Sequence, residues 1–166
     1  MSCAADLRRL LDLAPHPEGG WFRETHRSPL VVAHPQVAAR AERAAGTAIY
    51  FLLEAGDFSA LHRVRSDETW HWYAGGVLEL HLLDASGRHE RILLGTEWST
   101  GARPQATVPA GVWQAARPTA GTAFVLCGCT VAPGFDFSDF EMPPRAELLR
   151  AFPMHADLVR ALTREP

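Results

Sequence analysis

The chain has 166 residues, 47% hydrophobic and 21% charged, with a formal net charge of −3; this length suits one domain with a substantial core. Its basic residues are scattered, which argues against a nucleic-acid partner. All 16 of them are arginines, so a Schiff base on a lysine of the chain is excluded, and covalent pyridoxal phosphate with it.

The run MSCAADLRRLLDL places Ser2 as a cap, with Leu7, Leu10 and Leu11 at helical spacing, and predicts a helix that Pro15 and Pro17 stop. Asp6 and an arginine pair break its apolar run, so it does not resemble a signal peptide. No segment approaches the ~20 apolar residues of a membrane span. In PHPEGGWFRE, Pro17 and Gly19-Gly20 set a tight path with His16, Glu18, Trp21 and Arg23 around it. Two readings stand level. It is a lip over a pocket, with Glu18 or Arg23 meeting a polar ligand, or a turn feeding the first strand. Residues 33–46 are polar and alanine-rich, an expected exposed excursion with one helical turn.

Strand signals then come quickly, at 47–53, 58–64, 69–74, 77–83, 89–94, 106–109, 112–117 and 122–131, with glycine-rich turns between them. Gly75-Gly76 predicts a two-residue hairpin, because glycine supplies the positive φ of primed turns. Short strands at regular spacing predict an all-β sandwich or barrel. Residues 145–164 predict a helical segment interrupted at Pro153. Cys127 and Cys129 share a strand face, too far apart for an easy bridge, and with Cys3 they read as free thiols in a reducing cytoplasm.

The stretch GDFSALHRVRSDETWHWYAGG, residues 56–76, carries the chemistry. Its spacing runs Gly56, five residues, His62, one residue, Val64, three residues, Glu68, six residues, Gly75. This resembles the first motif of the cupin superfamily with valine in place of the second histidine. PAGVWQ resembles the second motif, with Gln114 where a histidine is usual. Together with LDLAPHPEGGWFRETHRS, TAIYFLL, PQATVPAGVWQAA and CTVAPGFDFSDFEM, these blocks resemble the uncharacterised cupin-5 family, domain of unknown function 985, from Leu11 to Met142. The resemblance implies a double-stranded β-helix, or cupin jelly-roll barrel, with short N- and C-terminal helices. It implies one domain over 1–166, its core barrel about 20–142, usually assembled as a homodimer, and it implies no settled reaction.

Strand parity points His62 and Val64 to one face. His62, Glu68 and Gln114 supply three candidate metal ligands, but one is a neutral amide and valine stands where a fourth group belongs, so no tightly held metal or other cofactor is expected. Without a metal, a buried Glu68 must be protonated or paired, and His62 is its expected partner. That pair is either a general base or a structural hydrogen bond. Parity also puts Trp70 and Trp72 on the Glu68 face, as a stacking wall or as core, and sends His71 and Tyr73 to the other face, toward a partner or the surface. Gln105 and Gln114 on the second-motif strands, and Tyr50 on TAIYFLL, complete the candidate ligand-binding set with Glu18, Trp21 and Arg23. The phenylalanines of PGFDFSDFEM are expected to pack over the barrel or a dimer seam.

The reading that follows is a metal-independent isomerase or epimerase on a polar or sugar-like small molecule, with His62 as base and Glu68 orienting it. The alternatives are a non-catalytic small-molecule-binding cupin and a metal-dependent oxygenase or lyase.

Overall fold

The computed structural model describes residues 3–37 and 41–165. Helix α1 (Ala4–Leu10) is followed by strands β1 (Ala14–Pro15), β2 (Trp21–Arg27), β3 (Val31–Ala33), β4 (Glu42–Ala44), β5 (Thr47–Glu54), β6 (Ser59–Val64) and β7 (Asp67–Gly75). Strands β8 (Leu78–Leu83), β9 (His89–Leu94), β10 (Gln105–Val108), β11 (Trp113–Pro118), β12 (Phe124–Ala132) and β13 (Phe140–Glu141) come next, before helices α2 (Arg145–Ala151) and α3 (Ala156–Ala161). One sheet has the order β1-β2-β5-β12-β7-β10, a second β13-β6-β11-β8-β9, and β3 and β4 form a separate hairpin. All the paired strands run antiparallel, an arrangement consistent with a cupin-type jelly roll.

The sheets share one core because alternate residues of each strand turn toward the other sheet. Ile49, Phe51 and Leu53 of β5, Trp70 of β7 and Cys127 and Cys129 of β12 meet Leu78, Leu80 and Leu82 of β8. Strands β6, β8 and β11 are buried on both faces. Their outer residues Leu61, Leu83, Trp113 and Ala115 are roofed by Leu148, Phe152, Val159 and Leu162 of the C-terminal segment. Each such large apolar side chain contributes about 1.5–3 kcal/mol on burial, so the terminal helices are part of the second sheet's packing.

Three local expectations need correction or restriction. Gly75-Gly76 is not a hairpin turn: β7 pairs with β12 and β10, whereas β8 pairs with β11 and β9, so the two glycines pass the chain between sheets. Gly75 has φ +99°, and a Cβ there would run into the Phe124 carbonyl oxygen. Gly76 N–H donates to that same oxygen at 3.0 Å. Ser2, the expected cap, lies outside the described residues; Cys3 occupies the cap position and its N–H donates to the Asp6 carboxylate, 3.3 Å. The expected helical turn within 33–46 falls partly on residues 38–40, outside the described residues, and the flanks form the β3–β4 hairpin. No helix among the described residues is long and apolar enough to cross a membrane.

Candidate functional site

The site is assembled by the loop between β1 and β2. Gly19 (φ +106°) and Gly20 (φ +71°) take backbone conformations that a side chain resists, and a Cβ on Gly19 would collide with the Phe58 carbonyl oxygen and Arg164. The loop is stitched down at several points. Gly20 N–H donates to Asp57 Oδ2 (2.9 Å), Ala60 N–H donates to the Glu18 carbonyl (2.8 Å), and the Arg164 guanidinium donates to the same carbonyl. The result drives the Glu18 side chain inward, where it is 6% exposed.

Inside, Glu18 meets β6. Ser59 Oγ donates to Glu18 Oε1 (2.9 Å), and His62 Nε2 lies 3.3 Å from Glu18 Oε2. His62 Nδ1 is 2.7 Å from the Ala60 carbonyl, which can only accept, so Nδ1 carries a proton. Burial lifts the Glu18 carboxyl to about 8 and pushes the His62 imidazolium down. Burial thus disfavours the charged form of both groups, which leaves a carboxyl oxygen beside an imidazole nitrogen at a distance suited to proton exchange. His16 stands beside the pair, its Nδ1 3.5 Å from Glu18 Oε2, and burial lowers it to about 4.

Glu68 is engaged differently. Gln114 Nε2 donates to Glu68 Oε2 at 2.5 Å, while Gln114 Oε1 accepts from Trp70 Nε1 at 2.8 Å. The indole can only donate, which fixes the orientation of the amide. Burial raises the Glu68 carboxyl, with the nearby Glu18 adding to the effect and His62, Gln114 and Cys129 opposing it. The expected His62–Glu68 partnership is thus replaced by His62–Glu18. Glu18 reaches the imidazole nitrogen because its loop folds over β6, 44 residues earlier in the chain than His62.

These groups form the floor of a cavity of ≈ 270 Å³ whose walls include Phe22, Ile49, Val64, Val131, Phe135 and Phe137. Of the sequence-derived candidates, His62, Glu68 and Glu18 line it. Gln114 stands behind Glu68, fully buried. Trp70 lies in the core against Phe51, and Trp72 packs on the same core with its indole donating to the Gly76 carbonyl. Parity gives both tryptophans the inward face, but they sit farther along β7, where the two sheets meet without a gap.

The remaining candidates are away from the cavity. His71 bonds Thr130 and Gln105, Tyr73 lies over Gly128 and meets Tyr50 edge-on, and all of these occupy the opposite face of the first sheet. Arg23 donates to the Leu11 carbonyl, and Trp21 is covered by the Arg8 guanidinium 4.4 Å from its ring. His16, Phe135, Phe137 and Cys129 line the cavity without a spacing that marks them as ligand groups. Parity with Val131 on β12 is the one signal that places Cys129 inward, where burial pushes its thiol far up.

Cupin motifs imply a metal, and these residues do not fit one. Val64 offers no donor atom. The Gln114 oxygen is committed to Trp70 and its amide hydrogens face Glu68. Among the described residues, no three His, Cys, Asp or Glu side chains gather as a metal-holding group.

Two antiparallel sheets sharing one core, with a pocket between their strands, are consistent with a cupin-type jelly roll. The family model described as Cupin superfamily (DUF985) matches residues 6–143, and the chain belongs to that family. It is similar to protein SO0799 from Shewanella oneidensis, with 34% identity, TM-score 0.90 and 100% of each chain covered. A hypothetical protein from Leishmania major is also 34% identical, at TM-score 0.90 over 99% of this chain and 100% of that one. The uncharacterized protein YML079W of Saccharomyces cerevisiae is 29% identical over 76% of this chain and 68% of its own length. Oxalate decarboxylase from Bacillus subtilis shares the fold at 14% identity and TM-score 0.58, over 94% of this chain and 38% of that one.

Proposed function

We propose that the protein is a small-molecule-binding cupin that holds a compact polar molecule against Glu18, His62 and Glu68. One observation carries this reading: a cavity of ≈ 270 Å³ with apolar walls ends on two buried carboxyl groups and an imidazole. Convergent polar groups at the end of an apolar pocket are the usual form of a ligand site. Native mass spectrometry of protein purified without added ligand tests it. A bound small molecule that Glu18→Gln releases supports the reading. A pocket that retains and accepts nothing from a broad metabolite library opposes it.

A second reading, an isomerase or epimerase, is favoured by the Glu18–His62 pair. An imidazole anchored at Nδ1 with a carboxyl oxygen 3.3 Å from its Nε2 is suited to general acid–base work. Glu18, not Glu68, is then the orienting acid. In that case His62→Asn keeps ligand affinity within a few-fold and abolishes turnover of a found substrate; equal turnover removes His62 from the chemistry. We further propose that the chain acts as one cupin domain, its sheets closing as a barrel around this pocket. In this proposal it works as a homodimer in a reducing cytoplasm, where Cys3, Cys127 and Cys129 stay free thiols.

A further inference from the structure

The charges around the cavity are lopsided. Arg27 is the one arginine among its lining residues, and it is already committed. Its Nε and Nη2 meet both Glu24 carboxylate oxygens at 3.0 and 2.7 Å, and Nη2 also donates to the Phe135 carbonyl at 3.2 Å. His62 Nδ1–H donates to the Ala60 carbonyl, and His16 Nδ1 accepts from the Glu18 N–H. An anionic guest therefore meets no charged donor at the floor, and at the exposed Arg27 it meets a guanidinium already neutralised by Glu24. Carboxyl groups outnumber cations in the lining: Glu18 and Glu68 stand at the floor, and Asp136 lies toward the mouth beside the Arg27-paired Glu24.

The walls carry the same bias. Phe135 and Phe137 stand edge to face with centroids 5.0 Å apart, and the His16 ring stacks on Phe137 at 6.0 Å and meets Phe22 edge-on at 4.5 Å. Aromatic faces attract a cation brought within about 6 Å of the ring. They repel an anion for the same reason, the negative face of the ring quadrupole.

We propose that the molecule taken by this cavity is an organic cation, an ammonium or other protonated nitrogen on a small apolar or aromatic body. Its charge lies against Glu68 and Glu18, and its body against Phe22, Phe135 and Phe137. This rests on reading the cavity as a binding pocket. Burial disfavours the charged form of both carboxyl groups, and the nearby Arg164 and His62 offset it only in part. A cationic guest supplies the remaining countercharge and makes a charge-assisted hydrogen bond, releasing a proton to solvent as the carboxyl ionises.

Isothermal titration calorimetry at neutral pH with three probes of similar body tests the assignment: benzylammonium, benzyl alcohol and phenylacetate. Benzylammonium is expected to bind at least about tenfold more tightly than benzyl alcohol, the gain of one charge-assisted hydrogen bond, and phenylacetate more weakly than either. Glu68→Gln should cut the preference for benzylammonium over benzyl alcohol to within a few-fold, and benzyl alcohol that still binds this variant shows that the cavity is intact. Phe137→Ala, at a half-exposed position, should weaken benzylammonium more than benzyl alcohol. Equal or tighter binding of benzyl alcohol or phenylacetate overturns the cation assignment and leaves the pocket standing. Absence of binding by all three at millimolar concentration overturns the pocket with it.

Discussion

Gln114→Leu isolates what the buried amide does. Gln114 is fully buried and makes two hydrogen bonds, accepting from Trp70 Nε1 at 2.8 Å and donating to Glu68 Oε2 at 2.5 Å. Leucine has nearly the same volume, so the packing term is small. The loss is then two orphaned buried polar groups at about 1–3 kcal/mol each, and the variant should be destabilised by roughly 2–6 kcal/mol. Urea unfolding followed by far-ultraviolet circular dichroism, at fixed protein concentration, measures this. Gln114→Glu separates the two partners. Its carboxyl still accepts from Trp70 but faces Glu68 across the same short gap, and two adjacent carboxylates cannot both ionise. The raised carboxyl gives stability that is complete below its ordinary pKa and lost as pH rises through its folded value. Gln114→Glu should therefore approach the wild type near pH 5 and fall behind it by pH 8. A Gln114→Leu loss under about 1 kcal/mol, or a Gln114→Glu deficit that does not change with pH, refutes the idea that this amide satisfies the floor of the site.

Glu18 supplies a second pH test: burial raises it from its ordinary 4.5 to about 8, so its contribution is complete below 4.5 and is lost as pH rises through 8. Glu18→Gln should flatten the decline of stability between pH 5 and 9, and denaturant midpoints that fall as steeply as those of the wild type contradict this. For metals, elemental analysis of protein purified without added metal or a histidine tag should find no stoichiometric iron, manganese, nickel or zinc. Stoichiometric metal that a chelator removes with loss of function, and that restores function on return, reverses that expectation. For assembly, light scattering at micromolar concentration should give the mass of a dimer, and a monomer mass rules it out.

Most strands are legible locally. The run at 47–53 becomes Thr47–Glu54, and that at 77–83 becomes Leu78–Leu83, because alternation and glycine punctuation are written within each segment. Which sheet a strand joins is not local, so Gly75-Gly76 has the composition of a hairpin while bridging two sheets. Parity places Glu68, Trp70 and Trp72 on one face but is silent about depth. Glu68 reaches the end of β7 where Val131 and Val64 leave a gap, whereas Trp70 and Trp72 meet filled core. The partner of His62 was beyond parity altogether. Glu18 precedes β2 in the sequence, and its approach depends on two glycines at positive φ and on contacts with β6 and Arg164.

That last contact gives the pocket a place in time. Arg164 donates to the Glu18 and Phe58 carbonyls and to Asp57, and so spans 146 residues to reach the loop that carries the acid. While the chain is being made, every strand of both sheets has emerged before residue 164 does. A nascent chain halted at residue 150 has the strands and the floor residues, yet lacks the clamp that turns Glu18 inward. Contacts between such distant residues are closed late, after nearer ones have shortened the loop between them. Competence to bind should therefore trail the formation of sheet structure in a refolding experiment, and Arg164→Ala should leave the strands intact while speeding amide exchange at Gly19 and Gly20. Ligand protection that appears together with the first β signal is the result that excludes this order.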